Sequence, residues 1–538
     1  MYSNIINSFF IPSYTIGEKE IRKIENLFRI FKEVGVFDLI DNVFYKDYSK
    51  GGRPQINKHK LFVLITYAYA FRHISLREME SFCKFDLRAI NIMDGEIPSH
   101  STIGNFYNEF IVPYKDIIFS KITEGIRKEC NIDFDEAFLD GSKFEADANK
   151  YKFVWKPTTF HLRLSDKIRA ILSKYKLNRN VPIEGIIPTS IIAMKITEFD
   201  NYLSVYGKFN KEIVKDYESL KLALIKSLEY EEKEEICGPD RNSYYKSDHD
   251  ATAMCLKRDY YSGLGTNTHA AYNTQIIVCK GIIAVYYVSQ SRADIHDFIP
   301  TLERFYDFYQ CYPKCVCADS GYGSLENFNY LAQHNINNYV KYFSWEGNVS
   351  GRNPSAYTLI DETTIQCLNG NYGYIVELET RHSKKKNSKF FEIKGCNSCV
   401  FKDYCKRWMK RKDEDYKIFE VEIELQKQIN QSEKNLLSPK GIELRINRSI
   451  QVEGTFGMIK QDMSFDRFTR TSLEKVSAEF MMICLGLNIR KLFKYYDGKS
   501  KLKYWIAPID LQAEVKKKPS AKRLSNKVNK KKKGDKKT

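Results

Sequence analysis

The sequence predicts a multi-domain chain, with an α-helical N-terminal domain followed by an α/β domain that an insertion interrupts. Three observations point there. A length of 538 residues exceeds one ordinary domain. Helical periodicity prevails over residues 15–125 and yields to short apolar runs from Asp133 onward. Two stretches then break the strand–helix pattern: a charged one rich in Lys, Glu and Leu at about 160–235, and a polar, cysteine-bearing one at 343–435. The expected boundaries are therefore 1–130, 131–342 with the helical insertion inside it, 343–435, 436–500 and 501–538.

Residues 18–37 place Ile21, Ile24, Leu27, Phe28 and Phe31 at helical spacing. After a break at Gly51-Gly52-Arg53-Pro54 come three short helices over 58–72, 75–85 and 102–110. Ser75 and Ser101 are their expected N-caps, because a hydroxyl can accept the free first-turn amides. Such a succession fits either a helix-turn-helix module or a small bundle that touches no DNA. Residues 134–139 read as a buried strand ending in Asp140-Gly141. Two strands at 269–279 and 281–289 flank a Lys280-Gly281 turn. An amphipathic helix follows at 297–309, then a buried strand at 314–318 that ends in Asp319. A helix at 325–334 and a strand at 337–342 precede the cysteine-bearing stretch, which reads as irregular. Helices are expected at 444–462 and 473–493, and the Lys-rich sequence after Glu514 reads as disordered.

With 43% hydrophobic and 14% aromatic residues, the chain can bury sizeable cores. Its net charge of +17 suggests a polyanionic partner. Residues 516–538 hold twelve Lys or Arg against one acid, so +6 of that charge is left for residues 1–515. The body is only mildly basic, and the tail reads as a non-specific clamp on DNA. The start of the chain lacks the pattern of a signal peptide, and no apolar stretch is long enough for a membrane span. A cytoplasmic location without membrane contact follows. There the thirteen cysteines would be reduced, and a tight cluster reads as a metal site before it reads as disulfides. Cys396-x2-Cys399-x5-Cys405, with Cys367 upstream, offers four thiolates for a structural Zn²⁺ or an iron–sulfur cluster. His382 is a substitute ligand, and four free thiols are the alternative. A phosphate loop of the Walker type is missing, which argues against an ATP requirement.

The two strand-end aspartates are the candidates for chemistry, with a turn or cap role as the alternative for each. Small neighbours such as Gly141 let a metal or a DNA backbone approach them closely. Phosphodiester chemistry with divalent cations needs several carboxylates converging on hard ions, which prefer oxygen. A third can come from a helix across the same sheet, and Glu453 suits that place. Lys460 lies seven residues on, about two helical turns, so an ammonium for phosphate would share its face. Glu443, Asp462, Asp466 and Glu474 are rivals to Glu453. Trp155, shortly after Asp140, reads as a core tryptophan or as a ring that stacks on a flipped base.

At these residues the sequence resembles the DDE transposases of bacterial insertion sequences, over roughly 50–495. Phe138-Leu-Asp140-Gly-Ser-Lys-Phe-Glu-Ala146 is similar to the family's first-aspartate strand, and Cys317-Ala-Asp319-Ser-Gly-Tyr-Gly323 to its second. Val452-Glu453-Gly-Thr-Phe-Gly457 through Lys460 is similar to its glutamate helix. Gly52-Arg-Pro54 through Pro98-Ser-His-Ser-Thr102 resembles its helical N-terminal domain, and Asp248-His-Asp250-Ala-Thr-Ala-Met254 another stretch these proteins carry. The resemblance implies an RNase H-like catalytic domain and Mg²⁺ or Mn²⁺ held by Asp140, Asp319 and Glu453. It implies cleavage at terminal inverted repeats, strand transfer into target DNA, a homodimer on paired ends and a nucleoid-associated location. Lys460 matches the lysine of the family's Tyr-x2-Arg-x3-Glu-x6-Lys signature, but Ile446 and Ser449 stand at the tyrosine and arginine positions. Arg445 and Arg448 lie nearby but off register, as candidate phosphate contacts. A decayed, end-binding protein and a metal nuclease that cuts without joining are the alternatives.

Overall fold

The computed structural model describes residues 16–45, 55–207, 210–239, 241–256, 268–350, 353, 355–377, 388–407, 409 and 412–498. The Gly51–Pro54 break, His382 and the basic 516–538 tail lie outside these residues. The chain forms two compact units. The first holds residues 1–142, 273–465 and 477–538, and the second 143–272 and 466–476. In chain order the strands are β1 (Glu136–Glu145), β2 (Phe153–Trp155), β3 (Ser243–Tyr245), β4 (Thr252–Cys255), β5 (Thr268–Cys279) and β6 (Ile282–Ser289). They continue with β7 (Cys315–Ala318), β8 (Asn337–Asn338), β9 (Tyr357–Asp361), β10 (Thr364–Cys367), β11 (Tyr372–Val376), β12 (Ser388–Lys394) and β13 (Tyr416–Glu422). Among the described residues no helix is long and apolar enough to cross a membrane.

The first unit opens with helices. The expected 18–37 helix splits into Glu18–Glu33 and Val36–Val43, because Gly35 at φ +71° turns the chain between them. Ser75 caps the helix Leu76–Phe85 as expected, in a capping box with Glu78. The cap of the helix expected at 102–110 is Ser99, not Ser101, since the Ser99 hydroxyl accepts the Thr102 N–H and helix His100–Phe106 begins two residues early. Helix Lys58–Ala70 is buried at every position from Leu61 to Ala70 and is the centre of this core. The last helix, Leu473–Tyr496, crosses it at Gly486, where a Cβ would stand 2.8 Å from the Tyr69 carbonyl carbon.

The sheet of this unit runs β6-β5-β1-β7-β8. β5 and β6 are antiparallel about Lys280-Gly281, whose φ values of +47° and +83° suit a tight hairpin. Ser142 meets Thr274 and Ala146 meets Ala270, so β5 and β1 run in opposite directions. β1, β7 and β8 are parallel. At the β6 edge, the buried Asn488 carboxamide exchanges two 2.8 Å hydrogen bonds with the Ile283 backbone, which satisfies groups an edge strand would otherwise expose.

The stretch at 343–435 is not irregular. Five short strands form an antiparallel sheet in the order β13-β12-β11-β10-β9, and helix Ile423–Leu437 follows. Leu359, Ile365, Phe391, Ile393, Phe419, Val421 and Ile423 form its core. β9 and β10 contribute one of these residues each, β12 and β13 two each and β11 none, so the two-residue period is too brief to stand out from the sequence.

In the second unit, the expected helical insertion is three helices, Thr158–Lys174, Thr189–Tyr206 and Lys211–Cys237. Ile168, Leu172, Ile192, Phe199 and Leu220 pack between them. β2 pairs with β3, and β4 with the first residues of β5. Asp248 accepts from the Tyr272 hydroxyl and the Ser472 N–H, and Asp250 from the Leu473 N–H, so this motif fastens the start of the last helix. Trp155 is not a core residue; 60% of its surface is exposed.

Candidate active site

The parallel register of β1 against β7 pairs Leu139 with Ala318, which brings Asp140 and Asp319 level on neighbouring strands. Asp140 does not end its strand as expected. β7 stops at Ala318, while β1 continues to Glu145 beside β5, so Asp140 sits where the parallel ladder ends and the strand goes on. β8 continues the alignment: Val316 pairs with Asn338, and the Lys341 N–H reaches the Ala318 carbonyl at 3.2 Å. Asp140, Asp319 and Lys341 therefore lie along the C-terminal edge of three adjacent parallel strands, where open α/β sheets place their sites. Lys341 lies 3.6 Å from Asp319 and 2.9 Å from Glu346. Its place was legible only as the end of the expected 337–342 strand; the register makes it a neighbour of Asp319.

Glu453 comes from a helical run over 439–462 in which two π-helical turns, Ser449–Glu453 and Met458–Asp462, interrupt the α-helix. Such turns widen the helix and often mark functional positions. They also alter the angle between Glu453 and the half-buried Lys460, which an unbroken α-helix would keep on one face. One guanidinium ties Glu453 to the sheet. Arg448 donates to Asp140 Oδ2 at 3.2 Å through Nη1 and to Glu453 Oε1 at 2.8 Å through Nη2. The Ser449 hydroxyl holds the other Glu453 oxygen at 2.8 Å. Arg448, expected as a phosphate contact, is 6% exposed and lies between two carboxylates inside the candidate site. Arg445 is half-buried over the Trp345 ring, 5.5 Å from its centroid.

Burial pushes the Asp140 carboxyl up to about 6; Arg448 and the Gly141 N–H pull it down, and Asp319 and Glu453 push it up again. Asp140 thus feels both other carboxylates, and the side chains are 22%, 47% and 52% exposed for Asp140, Asp319 and Glu453. Although burial works against its charge, attraction to Asp140 and Asp319 holds the Arg448 guanidinium above its ordinary value.

Beneath this edge lies a polar network that sequence reasoning missed. The buried Tyr322 hydroxyl donates to Gln275 Oε1. Gln275 Nε2 donates to Asp294 at 3.2 Å, and Asn273 Nδ2 to Asp294 at 2.8 Å and Asp297 at 3.0 Å. The Ser289 hydroxyl completes the set on Asp297 at 2.8 Å. A Cβ at Gly141 would collide with the Gln275 carboxamide, and one at Gly323 would stand 2.6 Å from the Lys341 carbonyl oxygen. Close packing under the site thus explains Gly141 after Asp140 and Gly323 after Asp319. The spacing of Asn273 and Gln275, alternate polar residues inside a buried strand, was the available signal.

The four expected cysteines all line one small cavity in the 343–435 region, together with Phe401, Lys406 and Lys417. The Cys399 sulfur accepts the Phe401 N–H at 3.4 Å, and Lys417 Nζ lies 3.1 Å from the Cys405 sulfur. Burial pushes the Cys396 and Cys399 thiols up, and the neighbouring cysteines add to it. Among the described residues, no three carboxylates, cysteines or histidines stand close enough to form a finished metal cage, at either place. At the sheet edge the reason is visible: the Arg448 guanidinium stands between Asp140 and Glu453.

Comparison with known proteins gives two matches. A family model described as a transposase DDE domain matches residues 366–493, which takes in the cysteine-bearing sheet from Cys367 onward and the helical run with Glu453. A model described as a transposase domain (DUF772) matches residues 18–109, the first helices. No curated protein and no solved structure matches the chain.

Proposed function

We propose that the chain, which its matches to two transposase-domain models indicate to be a DDE transposase of an insertion sequence, binds the terminal inverted repeats of its own element, cuts there in a metal-dependent reaction and joins the freed 3′-hydroxyl ends to target DNA. The observation that carries this is the level placement of Asp140 and Asp319 on neighbouring parallel strands, with Glu453 held to Asp140 through Arg448. The strand order, three antiparallel strands followed by two parallel ones, is what an RNase H-like domain requires and supports that reading.

The donor set fits a hard divalent cation, Mg²⁺ or Mn²⁺, because it consists of carboxylate oxygens, and a cation would offset the burial and carboxylate repulsion that push Asp140 up to about 6. Asp140, Asp319 and Glu453 are the residues that would hold it. When bound, such an ion activates the attacking oxygen and stabilises the leaving one. The chain's own groups do the remaining work. Arg448 balances Asp140 and Glu453, Ser449 orients Glu453, and Lys341 sets positive charge beside Asp319. Lys460 and Arg445 are the phosphate contacts left on the glutamate helix. A homodimer on paired ends is the assembly proposed.

A labelled duplex carrying the element's terminal repeat tests the reaction. Nicking at the repeat boundary is expected with Mg²⁺, none with chelator and none from Glu453→Gln. Binding without nicking under every condition would leave an end-binding protein, and nicking by Glu453→Gln would remove that residue from the site. Recovery of joined products from donor ends bearing 3′-hydroxyls separates a transposase from a nuclease.

The shared cavity of Cys367, Cys396, Cys399 and Cys405 supports a structural metal, zinc or an iron–sulfur cluster. Elemental analysis and the visible spectrum of the full chain decide between them, since thiolate zinc is colourless.

A further inference from the structure

The stretch 148–165 of the second unit carries Lys150, Lys152, Lys156 and Arg163 and no acid, a local charge of +4. Large rings stand between these cations and face water. Tyr151 is 80% exposed, Trp155 60% and Phe160 59%, where such rings are usually buried. Phe153 and Trp155, two residues apart on β2, share one face of the strand. They meet edge to face with centroids 5.4 Å apart, an arrangement that leaves a ring face open. β2 pairs edge to edge with β3, where Tyr245 and Ser243 stand opposite Phe153 and Trp155 and are buried; the Tyr245 ring lies 6.4 Å from that of Phe153, so the exposed rings are held by a paired backbone. The same chain runs directly out of a cleft of about 690 Å³ whose lining holds Lys150, Lys152 and Arg467 with Tyr151, and two acids, Asp147 and the buried Glu145. The one exposed acid there, Asp147, is neutralised by Arg467 at 2.8 Å.

From this juxtaposition we infer that β2 and its flanks bind unpaired bases of a DNA strand, with Trp155 and Phe153 stacking on the bases and Lys152 and Arg163 facing the phosphates. Charge alone would suit any DNA. The rings discriminate, because a duplex keeps its base faces stacked inside, whereas an unpaired base offers a π-face to an aromatic side chain. The inference rests on the proposal that the chain handles DNA ends, and it names the strand form recognised there.

The test is made in chelator, so that cleavage plays no part. A labelled duplex with a short unpaired extension, the same duplex blunt-ended, and one whose extension is abasic are titrated with the full chain. The extended duplex should bind more tightly than the other two. Trp155→Ala should weaken it about tenfold with little effect on the blunt duplex, and Trp155→Phe should recover most of the loss. A melting curve confirms that the exposed substitution leaves folding intact. Equal binding of base-bearing and abasic extensions, or an equal loss on all three DNAs, overturns the inference. So does a Trp155→Ala variant that keeps its DNA affinity but changes its sedimentation, which would make the patch a protein contact. Nicking of the terminal repeat is scored separately, so failure of the stacking surface leaves the cleavage reading intact, and the reverse.

Discussion

Asp140→Asn should make the metal-free protein more stable at neutral pH while destroying its chemistry. The Asp140 carboxyl is pushed up to about 6 by burial and by its carboxylate neighbours, against an ordinary value near 4. The folded chain therefore holds this proton more tightly than the unfolded chain does. Stability from it is fully present below about pH 4 and is lost as pH rises through about 6. At about 1.4 kcal/mol per pH unit the ceiling is roughly 3 kcal/mol. The side chain keeps 22% of its surface in water, so about 1–3 kcal/mol is the expected range once screening is allowed for. An amide cannot ionise, and Arg448 keeps Glu453 as its partner. Urea unfolding in chelator should show Asp140→Asn level with wild type near pH 4 and ahead of it at pH 7.5. Added Mg²⁺ should then reverse the order by stabilising wild type alone, by about 2.7 kcal/mol at a hundredfold excess over Kd. A variant less stable than wild type at pH 7.5 would refute the reasoning, since it would mean that the Arg448 attraction outweighs the cost of burial.

Gly323→Ala should cost about 1–3 kcal/mol in the same assay, because its Cβ would meet the Lys341 carbonyl and the Tyr342 Cα, neither of which can rotate away. Wild-type stability in Gly323→Ala would show that the Asp319 turn is softer than its packing implies. Gln275→Leu should lower nicking at least tenfold with little change in binding to the terminal repeat, as it removes the acceptor of the Tyr322 hydroxyl beneath Asp140. Binding and nicking lost together would mean the network only supports folding. Cys399→Ser should lower both the metal content and the melting temperature of the full chain, without changing the Mg²⁺ dependence of nicking; an unchanged metal content would leave four free thiols. Removing residues 516–538 should weaken DNA binding and flatten its dependence on salt, since twelve cations leave with them. An unchanged slope would dismiss the tail as a clamp.

Local pattern is enough to single out the two strand aspartates. Asp140 and Asp319 each follow a short apolar run, a local pattern that a strand of a buried sheet must have, and glycines beside them mark close packing that composition alone can betray. The Ser75 cap and the Lys280-Gly281 turn were legible for the same reason: both depend on neighbours within a few residues. What the tertiary structure decided is everything set by partners distant in the chain. Register placed Lys341 level with Asp319, and the fold brought Arg448, 308 residues from Asp140, between the two carboxylates it bridges. The sheet of β9–β13 escaped notice because each strand buries too few side chains for a period to emerge, and only pairing across the sheet gives them a common face. Trp155 is the plainest case. A tryptophan's hydrophobicity argues for burial, but the residue opposite it on β3 is Ser243, too small to cover an indole, and the ring stays in water.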